Sequence, residues 1–133
     1  MLYPDIESDM KILIIDDNKD ITKMFSKYMT IKGHLCSVVN DGRSGLNLIE
    51  NKAFDAIILD LAMPDFSGSD IIDALYKSGK IKNQNIVTLT ASSISDEDES
   101  NMKSKGVSLC LKKPIDPDVL LGHIQQFENI KTI

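Results

Sequence analysis

Hydrophobic residues follow two patterns that alternate along the chain. Short runs of consecutive apolar residues, typical of strands buried on both faces, are separated by longer segments whose apolar residues recur every three or four positions, as in amphipathic helices. The predicted strands are residues 11–15, 35–39, 56–59, 86–89 and 107–111. The predicted helices are residues 18–32, 42–51, 69–77 and 95–104, and a fifth helix follows residue 116.

Polar residues and glycines mark the ends of these helices. Asn18 and Asp116 stand where a side-chain oxygen can accept hydrogen bonds from the first free N–H groups of a helix. Pro117 suits the first helical position, where no N–H donor is needed. Gly33 and Gly106 can end the first and fourth helices, because glycine adopts a left-handed conformation at little steric cost.

Five buried strands that alternate with five helices predict a (βα)5 domain with a parallel sheet covered on both faces. Right-handed crossovers and the size of the chain favour a doubly wound, flavodoxin-like sheet with strand order 2-1-3-4-5. No repeat or Pro/Gly-rich linker divides the sequence. We therefore assign residues 11–131 to one α/β domain and residues 1–10 to an N-terminal tail.

The composition is that of an ordinary globular domain. Of 133 residues, 42% are hydrophobic and 26% charged, so a core can form without a metal or a disulfide. The net charge of −5 disfavours nucleic-acid binding, which depends on basic residues neutralising phosphates. No apolar run approaches the ~20 residues of a membrane span. Residues 1–10 also lack the apolar stretch of a signal peptide, so we predict a cytoplasmic protein without membrane contact.

Cysteine and histidine show no disulfide or metal-binding pattern. Cys36 and Cys110 would lie on strands two and five, at opposite edges of the predicted sheet, and could not pair. His34 and His123 have no partner at metal-ligand spacing. The sequence therefore predicts two free thiols and no histidine metal site.

Polar residues follow the predicted strands at their carboxyl ends, where doubly wound sheets bind ligands. Strand two ends in residues 40–41, Asn and Asp. At the other four ends stand Asp16 and Asp17, Asp60, Thr90 and Lys113. One of the first two aspartates could simply cap the first helix, but capping does not explain polar groups at four strand ends. We therefore predict a functional site at this edge.

Three adjacent carboxylates and one lysine leave negative charge that a divalent cation would neutralise. Oxygen ligands in a solvent-facing position suit Mg²⁺, which commonly shares its coordination with a phosphoryl group. The metal, the lysine and a hydroxyl can stabilise a transferring phosphoryl group, with a carboxylate as nucleophile. Asp60 is the best candidate nucleophile, because Asp16 and Asp17 are better placed to bind the metal as a pair.

Four segments resemble the receiver domain of two-component response regulators, and the resemblance covers about residues 11–128. They are IIDDN at 14–18, FDAIILDLAMP at 54–64, TLTA at 88–91 and KKP at 112–114. The resemblance implies that Asp60 accepts a phosphoryl group from a phosphohistidine of a sensor histidine kinase or phosphotransfer protein. It also implies that Thr90 and Lys113 contact the phosphoryl group and that the Lys113–Pro114 peptide is cis.

The resemblance further implies how Mg²⁺ is held. Asp17 would bind the ion directly and Asp16 largely through water, while Asp60 and the backbone carbonyl of Ala62 would complete the protein ligands. Mg²⁺ is the only cofactor that it implies.

Three of the departures from the family pattern bear on function. Cys110 stands at the switch position, where receivers usually carry a tyrosine or phenylalanine, so the signal would need to pass through the loop before the fourth helix or through that helix. Ala62 and Ser92 lie where the family places or excludes the hydrolytic water, and Ala62 offers no side-chain hydrogen bond, which predicts slow to moderate loss of the phosphoryl group. The fourth helix opens with four acids at 96–99, which are either a solvated first turn or a feature that contacts a basic partner or discourages dimerisation through this face.

These observations predict a stand-alone receiver that is a signalling phosphoacceptor and catalyses only its own phosphorylation and dephosphorylation. A protein partner would read its state on the surface formed by helix 4, strand 5 and helix 5, and the chain would be a monomer or weak dimer. The main alternative is a receiver-like binding module that works without phosphorylation. A flavin-binding protein would need hydroxyl and glycine donors where residues 16–18 stand, and an aspartate phosphatase would need alternate rather than adjacent aspartates there.

Overall fold

The computed structural model describes residues 6–7, 9–91, 93–128 and 131–132. Five parallel strands form its main sheet in the order 2-1-3-4-5. This result confirms the predicted doubly wound fold. The strands are β1 (Lys11–Ile15), β2 (Leu35–Val39), β3 (Ala56–Asp60), β4 (Ile86–Thr90) and β5 (Leu109–Lys112).

Five α-helices connect the strands and cover both faces of the sheet. They are α1 (Lys19–Ile31), α2 (Gly42–Asn51), α3 (Gly68–Ser78), α4 (Asp96–Lys105) and α5 (Pro117–Ile124). Short 3-10 turns follow α3 and α5 at Lys80–Asn83 and Gln125–Phe127. No helix in the described part of the chain has the length and apolar content that crossing a membrane requires.

The helix ends agree with the predicted signals, with one correction. The Asn18 side chain accepts hydrogen bonds from the N–H groups of Asp20 and Ile21, and Gly33 and Gly106 have positive φ angles of 95° and 126°. Asp116 lies at the N-cap position of α5, but its side chain makes no capping hydrogen bond, so the predicted capping role is wrong. The fixed φ of Pro117 at the first position still favours the start of this helix.

Alternating side chains of the strands build two apolar layers. On one face, Ile12 and Ile14 pack with buried residues of α1 and α5, such as Phe25 and Leu120. On the other face lie side chains of α2 and α3 and the alternate residues of the strands. The central strands β1 and β3 are buried, whereas the edge strands β2 and β5 are half-buried, because an edge strand has a neighbour on one side only.

Four strand boundaries differ from the prediction, among them the end of β5, which lies at Lys112 and not at residue 111. β3 and β4 extend one residue further, so Asp60 and Thr90 are the last residues of strands and not the first residues of loops. β5 begins at Leu109 and not at residue 107, because the N–H of Val107 donates to the carbonyl of Met102 and closes the end of α4. Backbone hydrogen bonds with neighbouring segments, and not the apolar pattern, decide these ends.

The fourth helix is attached weakly to the rest of the fold. None of its residues is buried, and its main contacts are Met102, which packs against the second apolar layer, and an ion pair of 2.8 Å between Lys105 and Asp73 of α3. Ser95 caps the helix by accepting a hydrogen bond from the N–H of Asp98. The acids at 96–99 therefore lie on an exposed first turn.

A two-residue antiparallel ladder joins Ile6–Glu7 to Lys131–Thr132. Residues 1–5 and 8 of the predicted tail lie outside the described residues, and the proposed domain boundary stays a prediction. Met10, which we assigned to the tail, is fully buried in the first apolar layer. Its N–H donates to Nδ1 of His34 at 2.9 Å, so this buried histidine has a structural partner.

Two further predictions about particular residues are confirmed. Cys36 on β2 and Cys110 on β5 lie on opposite edge strands and both are free thiols. The peptide bond between Lys113 and Pro114 is cis.

Candidate functional site

Three carboxylates meet at the carboxyl edge of the sheet. Asp16 and Asp17 follow β1, and Asp60 ends the neighbouring strand β3. One oxygen of each carboxylate lies within 4.8 Å of the other two. Asp16 and Asp60 are buried, whereas Asp17 is exposed to solvent. We refer to these three residues as the acidic cluster.

Four hydrogen bonds hold Asp16 in place. Its Oδ1 accepts from the N–H of Asn18 at 2.9 Å and its Oδ2 accepts from Nζ of Lys113 at 2.8 Å. Its backbone N–H donates to the carbonyl of Val39 at 3.3 Å, and its own carbonyl accepts from Nδ2 of Asn40 at 2.9 Å. Because Asn18 caps α1, the capping role considered for Asp16 or Asp17 is not needed.

Lys113 brings a positive charge to the acidic cluster. Its N–H donates to the carbonyl of Thr90 at 2.8 Å, which holds the residue after β5 against the end of β4. From there its Nζ lies 2.8 Å from Asp16 and 3.6 Å from Asp60. The lysine therefore bridges the two buried carboxylates.

The charges in the site shift one another's proton affinities. Burial raises the pKa of Asp60 to about 6, and the repulsion from Asp16 adds to this effect, while Lys113 and the N–H of Ala62 act in the opposite direction. Burial acts to lower the pKa of Lys113, but the hydrogen bond and charge of Asp16 and the charge of Asp60 outweigh it and raise that pKa. Asp60 is thus a carboxylate of raised basicity.

The loop after β3 is tied closely to Asp60. The N–H of Ala62 donates to Oδ1 of Asp60 at 3.2 Å, and the N–H of Gly68 donates to the carbonyl of Leu61 at 3.1 Å. A Cβ at residue 68 would overlap the carbonyl oxygen of Asp60, so only glycine permits this close approach of α3. Ala62 is exposed, and its methyl side chain offers no hydrogen bond beside the carboxylate.

Thr90 and Cys110 border a cavity beside the site. Thr90 is the last residue of β4 and is half-buried, and Cys110 lies on the neighbouring strand β5. Both residues line a cavity of about 180 Å³, together with Ile94 and Glu99. The small thiol at the predicted switch position therefore has open space next to it. Ser92 lies outside the described residues.

The sequence did not predict what Asn40 does. It stands at the end of β2, but position alone does not show that its side chain reaches Asp16 and Thr22, 24 and 18 residues away in the chain. In the same way, the sequence placed Lys113 at the site without indicating that it pairs with Asp16. Both contacts depend on how the loops fold against one another.

The donor set fits a hard divalent cation. All three groups of the acidic cluster offer oxygen, one of them faces solvent, and the cluster contains no sulfur or imidazole ligand. Elsewhere in the described ranges, no other set of three acidic, histidine or cysteine side chains comes together in this way. A doubly wound α/β domain with an acidic, lysine-containing pocket at its carboxyl edge is the class of protein that this fold and site define.

Comparison with known proteins narrows this class. Residues 12–125 match the response regulator receiver domain. The sensor histidine kinase RcsC of Salmonella typhimurium is 29% identical over 116 residues, which cover 87% of this chain and 12% of RcsC, so the chain spans only a small part of that relative. The solved receiver domain of the Francisella response regulator 1452 has a TM-score of 0.80 and 26% identity, and covers 90% of this chain and 96% of that one. Chemotaxis protein CheY4 of Vibrio cholerae has a TM-score of 0.79 and 30% identity, with 90% and 99% covered.

The chain belongs to the response regulator receiver family, the signalling modules of two-component systems. Members of this family are signalling domains rather than classical enzymes.

Proposed function

We propose that Asp60 accepts a phosphoryl group from a phosphohistidine of a sensor histidine kinase or a phosphotransfer protein, in a reaction that depends on Mg²⁺. The observation that carries this proposal is the acidic cluster with Lys113 bridging its two buried members. A carboxylate oxygen of Asp60 forms a bond to phosphorus as the bond from phosphorus to the histidine nitrogen breaks, and the nitrogen keeps the electron pair.

The metal would be held by side chains that already lie together. Asp17 is exposed and offers a direct ligand, Asp16 is occupied by Lys113 and Asn18 and would act through water, and Asp60 and the carbonyl of Ala62 complete the protein ligands. When bound, Mg²⁺ supplies positive charge that neutralises oxygens of the phosphoryl group. Lys113 and the hydroxyl of Thr90 would contact the remaining oxygens.

The phosphorylated state would be read by a protein partner on the surface formed by α4, β5 and α5. Two features support this proposal: α4 has no buried residue, and the cavity beside Cys110 leaves room for the loop before α4 to rearrange around Ile94. The exposed acids at 96–99 suit a basic partner surface. We expect a cytoplasmic monomer or weak dimer that makes no direct contact with nucleic acid or membrane.

A titration followed by amide NMR tests this proposal. Mg²⁺ should shift signals of residues 16–18 and 60–62, and beryllofluoride, a mimic of an aspartyl phosphoryl group, should then shift those of Thr90, Lys113, α4 and β5. Phosphoramidate, which carries a bond between phosphorus and nitrogen, should add one phosphoryl group per chain when Mg²⁺ is present. If none of the three reagents changes the spectrum and the chain still binds a protein partner, the chain is instead a binding module that works without phosphorylation.

Replacing Ala62 with asparagine should accelerate loss of the phosphoryl group by roughly tenfold, because one added hydrogen bond to the attacking water is worth about 1.4 kcal/mol in the transition state. The exposed position of Ala62 makes the change tolerable to the fold. Decay of the phosphorylated chain after removal of the donor measures the effect. A decay rate equal to that of the original chain would show that residue 62 does not position the attacking water.

A further inference from the structure

The side chain of Asn40 links three segments at the edge of the site. Asn40 follows β2, and its Nδ2 donates to the carbonyl of Asp16 at 2.9 Å and to Oγ1 of Thr22 at 3.1 Å. Thr22 is buried in the first turns of α1, and its hydroxyl donates to the carbonyl of Lys19 at 3.2 Å. One half-buried amide therefore joins the end of β1, the start of α1 and the end of β2.

The bond to Asp16 sets the orientation of the peptide unit between Asp16 and Asp17. The oxygen of that unit is the acceptor, so the hydrogen bond restricts rotation of the plane that leads into Asp17. Within the described part of the chain, no hydrogen bond or ion pair holds the exposed Asp17 carboxylate itself. Its direction toward Asp60 therefore depends on the backbone that carries it.

We infer that Asn40 is a positioning residue for the metal ligand Asp17. An uncharged amide suits this position, because both of its partners are acceptors and a charged donor would compete with Lys113 for the carboxylates. Residues that orient a metal ligand through hydrogen bonds, without touching the metal, commonly contribute a factor of about 10 to 100 in metal affinity. This inference rests on the proposed function, since it assumes that Asp17 binds Mg²⁺.

The variant Asn40→Ala tests the inference through Mg²⁺ binding, measured by calorimetry or by amide shifts of residues 16–18. We expect the dissociation constant of Mg²⁺ to rise about tenfold. Asn85→Ala is the matched control, because Nδ2 of Asn85 also donates to a backbone carbonyl, that of Asp55, at 3.0 Å. This bond lies at the amino ends of β3 and β4, away from the acidic cluster. The control should lose similar stability and keep its Mg²⁺ affinity.

A second variant separates the two bonds of Asn40. Thr22→Val removes the hydroxyl that accepts from Asn40 and donates to Lys19, but it leaves the bond from Asn40 to Asp16 in place. This variant should therefore bind Mg²⁺ nearly as well as the original chain. Equal weakening of Mg²⁺ binding in Thr22→Val and Asn40→Ala would mean that loosening of α1, and not the bond to Asp16, causes the effect, and would overturn the inference.

The unchanged chain supplies a measurement that does not depend on the stability of a variant. The side-chain NH₂ signals of Asn40 should shift during the Mg²⁺ titration with the same midpoint as the amide of Asp17. Suppose that the unchanged chain binds Mg²⁺ normally. Constant side-chain signals of Asn40 during that titration, or an unchanged Mg²⁺ affinity of Asn40→Ala, would then overturn this inference and leave the proposed function standing. Failure of the unchanged chain to bind Mg²⁺ would overturn the proposed function and this inference with it.

Discussion

Replacing Asp60 with asparagine should abolish phosphoryl transfer to this chain and also stabilise the metal-free fold at pH 7 to 8. The first effect follows because an amide oxygen is a poor nucleophile and carries no charge. The second follows because Asp60 is buried beside Asp16, which makes its ionised form unfavourable. Incorporation of phosphoryl groups from phosphoramidate and unfolding by urea measure the two effects.

The sign of the stability effect follows from the pKa of Asp60. It is raised from 3.8 to about 6 in the folded chain, so between these values the folded state binds more protons than the unfolded state. Stability therefore falls as the pH rises through this range, and above pH 7 the whole cost is present. The rise of the Asp60 pKa from 3.8 to about 6 corresponds to a loss of at most about 3 kcal/mol in the free energy of unfolding, which Asp60→Asn should recover.

Asp65→Asn is a matched control for this experiment. Asp65 is an exposed carboxylate in the loop that follows Asp60, and its φ of 67° is a conformation that asparagine tolerates well. This variant should accept phosphoryl groups normally and keep the same pH dependence of unfolding. Phosphorylation of Asp60→Asn at the original rate would show that another residue is the acceptor. An unchanged pH dependence of the unfolding free energy in this variant would show that ionisation of Asp60 does not destabilise the fold.

Replacing Lys113 with methionine should lower the free energy of unfolding at pH 7 by about 3 kcal/mol. The methionine keeps the apolar stem but removes the charge that lies 2.8 Å from the buried Asp16, and loss of one partner of a buried pair leaves the other charge uncompensated. The pKa of Asp60 should also rise above about 6, because Lys113 is the cation that lowers it. Urea unfolding and the carboxyl-carbon NMR signal of Asp60 measure these changes.

The ion pair between Lys105 and Asp73 provides the comparison for Lys113→Met. Its length is also 2.8 Å, but the Asp73 side chain is 49% exposed against 2% for Asp16. Lys105→Met should therefore cost less than about 1 kcal/mol. Equal losses of unfolding free energy in the two variants would mean that the carboxylates of the site are hydrated well enough to need no counter-charge. A normal response of Lys113→Met to beryllofluoride would show that this lysine does not contact the phosphoryl group.

The strands were predictable because the apolar runs that define them are local, whereas their order followed from general rules of sheet topology. Consecutive apolar residues at 12–15 and 56–59 are typical of strands buried on both faces, and crossover helices of this length allow few topologies. The candidate site followed from the same reasoning, since parallel strands bring Asp16 and Asp60 to one edge. The ends of β3, β4 and β5 were less predictable, because backbone hydrogen bonds, and not the apolar runs, determine them.

The amino-acid sequence alone determined the fold class, the edge of the sheet that carries the site and the residue types found there. The tertiary structure decided which of those side chains touch: Lys113 pairs with Asp16 across 97 residues, and Asn40 reaches the carbonyl of the same aspartate across 24. It also showed that Cys110 borders an open cavity. The reason is physical: periodicity records which face of an element is buried, whereas contacts between loops depend on distances that exist only after the elements have packed.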